Sequence, residues 1–72
     1  MREYEENRMK IMRLDEVMAC TGLGRSSIYK LMSEGHFPKT VSLLNRSVGW
    51  VSHEIDSWIL ARIEERDEKV VD

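Results

Sequence analysis

A mostly α-helical fold with a small β-hairpin, three helices plus a wing, is what the sequence predicts, on three observations. Two short apolar stripes of helical period, each stopped by a glycine, lie a few residues apart between positions 14 and 35. A stretch of strand-like alternation follows at 39–51. A longer helical stripe then begins at Ser52. A helix pair joined by a tight turn, followed by a hairpin and a third helix, is the winged helix-turn-helix arrangement. The 72 residues leave room for one domain only. That domain is read as 11–64, with a flexible N-terminal arm at 1–10 and an acidic, disordered tail at 65–72.

The elements follow in order. "MREYEENRMK" mixes charges without periodicity and reads as the arm; "IMR" at 11–13 reads as a short extended piece. In "LDEVMACTG", Leu14, Val17, Met18 and Thr21 fall at i, i+3, i+4 and i+7, one face of a helix. Asp15 and Glu16 suit its positive end, and Gly22 its stop. The next helix is expected over Arg25–Glu34, with Ile28, Leu31 and Met32 inward, Gly24 at the N-cap and Gly35 at the end. Phe37-Pro38 then forces an extended exit. In "KTVSLLNRSVGWV", Val41 and Leu43 alternate with Thr40 and Ser42, and Val48 and Trp50 with Ser47 and Gly49. This is a hairpin turning at Asn45-Arg46. A lone hairpin is unstable in water, so it must lie on the helices. Ser52 is the expected N-cap of the last helix, where Ile55, Trp58, Ile59 and Ile63 form the inward stripe.

Composition narrows the chemistry. The lone Cys20 allows no internal disulfide, and its place beside the first stripe suggests a small buried hydrophobe. No His/Cys spacing suits a metal, and none is expected. No apolar run is long enough for a signal sequence or membrane span, so a soluble, cytoplasmic protein is expected. His36 and His53 read as isolated surface residues. The two tryptophans read as core, since burying each contributes on the order of 2–3 kcal/mol. No nucleophile-base set or phosphate loop is present, so neither an enzyme nor a cofactor or small-molecule substrate is expected.

Charge is unevenly spread. The net charge is −2, yet residues 24–50 sum to +3 and residues 51–72 to −4. A basic middle with an acidic end suits one cationic face on an otherwise acidic protein. The basic residues coincide with the second helix and the hairpin. In a helix-turn-helix, the first residues of the second helix enter the DNA major groove. Here they are Arg25, Ser26 and Ser27: a guanidinium able to grip guanine or phosphate, and two hydroxyls able to bond phosphates or base edges. Tyr29 and Lys30 lie on the flank, where backbone contacts occur. The wing tip offers Arg46 and Ser47 to the backbone or the minor groove, and Lys39 is a weaker phosphate candidate. The expected partner is double-stranded DNA. One such unit covers a short stretch of duplex, so a homodimer or cooperative assembly on DNA is expected.

The combined pattern resembles a known family. "TGLGRSSIYKLM", the "GHFP" exit and "RSVGW" leading to "EIDSWI" are similar to the AlpA family of small phage and prophage regulators, over residues 11 to about 63. That family is similar to MerR-type and excisionase-type winged-helix proteins. The resemblance implies a transcriptional regulator of a prophage or integrated element, or an excision factor that binds and bends DNA. It matches Arg25, Ser26, Ser27, Tyr29 and Lys30 to the recognition helix and Arg46 to the wing. It also implies a serine where this chain has Gly24, so a side-chain cap is missing here. From a different class, a protein-binding antirepressor module would use the same fold. It would not need Arg25 and Arg46 on one face.

Overall fold

The computed structural model describes residues 9–69. The arm expected at 1–10 therefore lies outside the described residues except for Met9 and Lys10, and the end of the tail, 70–72, lies outside them too. The elements are β1 (Ile11–Met12), α1 (Leu14–Thr21), α2 (Arg25–Ser33), β2 (Val41–Ser42), β3 (Val48–Val51) and α3 (Ser52–Lys69). Three helices and a small antiparallel sheet make a winged helix-turn-helix.

The predicted stripes turn inward. Val17 from α1, Ile28 from α2, Trp50 from β3 and Ile55 from α3 are fully buried, and Phe37 is nearly so. Leu14, Met18, Leu31, Met32, Trp58 and Ile59 pack around them, half-buried. Helix α1 opens with the Glu16 carboxylate accepting the Arg13 N–H at 2.9 Å. It closes at Gly22, where φ is 77° and the amide donates to Met18 O. The Thr21 hydroxyl donates to Val17 O and accepts from the Leu23 N–H, so it stitches the turn between the two helices. Helix α2 stops in a Schellman motif: Gly35 at φ 79° donates to Met32 O, and the His36 N–H reaches Leu31 O.

The hairpin forms where alternation places it, and it is not alone. β1 pairs with β3 through Ile11↔Val51 and Met12↔Trp50, while β2 pairs with β3 on the other side. The sheet order is β1-β3-β2. The extended piece at 11–13 thus supplies the third strand that a two-stranded wing lacks. Gly49 is buried at the centre of this sheet, and a Cβ there would stand 2.3 Å from Ile11 Cγ2 and 3.0 Å from Met12 O. Only a residue without a side chain lets β1 close onto β3.

Two indoles tie the α2–wing connection to the body. The Trp50 Nε1–H donates to Pro38 O at 3.0 Å, and the Trp58 Nε1–H donates to His36 O at 2.7 Å. Phe37 sits between these anchors, its ring edge-on to Trp58 at 4.9 Å. The outer face of Trp58 remains open and carries the Arg62 guanidinium at 5.5 Å.

Four expectations are corrected. Cys20 is exposed, not buried. Its direction on α1 is roughly 110° from the centre of the Leu14–Val17–Met18–Thr21 stripe. Ile63 is exposed as well, because α3 has left the body by its third turn and Leu60 and Ile63 both face outward. Ser52 is the first helical residue of α3 rather than its cap, its N–H donating to Lys10 O at 2.8 Å. Finally, α3 continues to Lys69, so residues 65–69 are helical where a disordered tail is expected. Ion pairs Arg62–Glu65 and Arg66–Asp67 line this extension.

Candidate nucleic-acid interface

Helix α2 presents its first turn to solvent because burial is delayed. Ile28 is the first residue to turn inward, so Arg25, Ser26 and Ser27 stay exposed. Gly24, extended at φ −84° and ψ 169°, caps the helix without a side-chain acceptor, and no acid occupies the first turn. The Ile28 N–H returns to Gly24 O, which leaves the amides of residues 25–27 at an uncapped, positive helix end. A guanidinium and two hydroxyls surround it. Lys30 is exposed one turn along.

Tyr29 is partly packed and partly exposed. Its ring meets Trp50 edge-on at 6.4 Å, yet the residue is 43% exposed. The apolar edge is packed and the rest of the residue is open.

The wing turn has unusual backbone. Asn45 and Arg46 both have positive φ, 56° and 65°. The Ser47 N–H closes the turn on Leu44 O at 3.0 Å. Two central residues at positive φ are the signature of a type I′ turn, for which Asn-Gly is the favoured pair. Asparagine tolerates this conformation; arginine pays about 1 kcal/mol for it. Ser47 donates its hydroxyl to Leu44 O as well, so its proton is committed to the turn.

Arg25 and Arg46, twenty-one positions apart in the chain, line one open cleft of about 470 Å³. Arg13, Tyr29 and Ser47 line it too, with Trp50 and Val48 beneath. Three arginines and a single acidic residue, Asp15, line the cleft. Arg13 has no sequence signal of its own, because it lies beside two acids in a segment of net charge −1. Only the β1–β3 pairing brings it here. Lys39 is not part of this cleft. It lies in a shallower hollow with Tyr29 and Met32, and also borders a more apolar groove formed by Gly35–Val41 and α3. Ser26, Ser27 and Lys30 are outside this cleft and stand exposed on α2. Among the described residues, no cluster of His, Cys, Asp or Glu could hold a metal ion, and no helix is long and apolar enough to cross a membrane.

Comparison with known proteins gives a consistent picture. The family described as Prophage CP4-57 regulatory protein (AlpA) matches residues 10–63. The chain is 42% identical over 57 residues to the uncharacterized protein ORF88 of Enterobacteria phage P4; the match covers 79% of this chain and 65% of that protein, just under two thirds of its length. It is 37% identical over 60 residues to the DNA-binding transcriptional activator AlpA of Escherichia coli (strain K12), covering 75% of this chain and 86% of that one. The match begins one residue before β1 and ends within α3, so it takes in the whole helix pair and the wing. This chain belongs to the AlpA family of regulatory proteins.

Proposed function

We propose that this protein is a sequence-specific double-stranded DNA-binding transcriptional regulator of a prophage or integrated element. Helix α2 enters the major groove and reads bases through Arg25, with Ser26 and Ser27 bonding phosphates or base edges. Tyr29, Lys30 and Lys39 lie along the backbone. Arg46 engages the backbone or the adjacent minor groove from the wing tip, whose turn Ser47 shapes. The protein acts by binding rather than by catalysis, and it occupies its sites as a dimer or cooperatively, since one unit spans a short stretch of duplex. The observation that carries this reading is the shared cleft of Arg25 and Arg46 beside an uncapped helix start. The likeness to a DNA-binding transcriptional activator supports it.

Arg46→Gly tests the wing. Glycine suits the positive φ, so the variant is expected to gain roughly 0.5–1 kcal/mol of stability in chemical denaturation. It loses the cation, so the slope of log K against log salt should fall by about one unit for any duplex, measured by fluorescence anisotropy. A variant that is more stable and keeps the wild-type slope would remove Arg46 from the interface.

A further inference from the structure

Arg13 joins β1 to α1, and its backbone is fixed from both sides. The preceding residue, Met12, pairs with Trp50. The Arg13 N–H donates to Glu16 Oε1 at 2.9 Å, and its carbonyl accepts the Val17 N–H at 3.0 Å. The side chain is exposed, and among the described residues no carboxylate forms an ion pair with it. The Arg13 backbone is anchored at the cleft that Arg25 and Arg46 also line.

The residue is also wrong for its local position. Arg13 is the N-cap of α1, where a short side chain with an acceptor oxygen is favoured. Arginine has five donors and no acceptor, so it cannot itself cap the first turn of α1, and the Glu16 N–H is met instead by the neighbouring Asp15 Oδ1 at 3.0 Å. Glu16 already supplies one half of a capping box; a serine at the cap would offer its hydroxyl to the Glu16 N–H alongside Asp15. Arg46 is in the same situation, a long side chain at positive φ where glycine is favoured. Two arginines placed against local preference open on one cleft. Local rules are typically broken where a side chain serves something other than the fold.

We propose that Arg13 is a third cationic contact to the duplex backbone. It grips a phosphate from the β1–α1 junction while Arg25 acts from α2 and Arg46 from the wing. The inference rests on the nucleic-acid reading of the cleft and adds an element to it: the interface includes the start of the first helix, which contributes a sequence-independent anchor. Three arginines against one acidic residue, Asp15, give the cleft lining a net positive charge.

Arg13→Ser separates this role from a structural one. The substitution puts a favoured N-cap residue in place of an arginine that cannot cap, and keeps the Glu16 bond to the residue-13 N–H, so the melting temperature should hold or rise. Binding to a mixed-sequence DNA duplex several turns long should weaken about 3–10-fold near 0.15 M salt, and the salt slope should become shallower by about 0.9. Arg13→Lys keeps the charge and should restore the slope. Retention of the full wild-type slope by Arg13→Ser, in a wild-type protein that binds the duplex, would overturn the Arg13 assignment and leave the rest of the interface standing. A wild-type protein that binds no duplex at all would overturn the nucleic-acid reading itself, and this contact with it.

Discussion

Replacing Trp50 by alanine is expected to unfold the domain. The indole is fully buried at the centre of a core in which, among the described residues, four other apolar side chains are buried, Val17, Ile28, Phe37 and Ile55. A large-to-small change at such a site costs roughly 3–5 kcal/mol, from lost burial and the cavity left behind. At roughly 0.05–0.15 kcal/mol per residue, a chain of this length has about 4–11 kcal/mol in total. The change also leaves Pro38 O without its donor and takes away the surface against which the Tyr29 ring rests. The far-ultraviolet circular dichroism of Trp50→Ala should therefore show little or no cooperative melt at room temperature and above. A sharp transition within a few degrees of wild type would mean that the core is centred elsewhere. Trp58 is half-buried and already open on its Arg62 side, so it has less to lose.

Arg25→Ala should leave the fold intact and damage recognition. The side chain is exposed at the first position of α2. Alanine at that position is a good helix former, so stability should stay within about 0.5 kcal/mol of wild type. If Arg25 reads a base, its loss should weaken binding to the cognate site by about 1–3 kcal/mol and flatten the preference for that site over scrambled duplex. This differs from the effect expected at Arg46 or Arg13, where all duplexes weaken together. Competition binding between a selected site and its scrambled counterpart distinguishes the two. Equal loss on both duplexes would make Arg25 another phosphate contact and shift base readout to Ser26 and Ser27.

The parts of the fold governed by local periodicity were legible in the sequence. The stripe Leu14–Val17–Met18–Thr21, the inward Ile28, and the stops at Gly22 and Gly35 all depend on neighbours within a turn or two. The wing turn at Asn45-Arg46 was legible for the same reason. What the sequence did not reveal depends on distant pairing. "IMR" carries too few residues to identify a strand, yet Ile11 and Met12 complete the sheet by pairing with Val51 and Trp50. That pairing is also what delivers Arg13 to the cleft. The outward turn of Ile63 was hidden because a stripe shows which residues share a face, not how far along the helix a partner extends. Thr21 looked like one more member of the stripe. Its hydroxyl is in fact bonded on both sides and shapes the turn ahead of Arg25. The candidate contacts on α2 were legible as an odd sequence of cation and hydroxyls where a helix begins. Their convergence with Arg46 was expected from the helix pair and wing, while the cleft they share with Arg13 follows from how β1 and β3 pack against the helix pair.

The most direct test is an amide chemical-shift map of the folded protein titrated with duplex DNA. If the cleft face is the interface, the largest shifts should fall at Arg13, at residues 25–30 and at residues 45–47, while the exposed end of α3 beyond Leu60 stays still. Shifts concentrated instead on the groove between residues 35–41 and α3, with Arg25 and Arg46 unmoved, would contradict it.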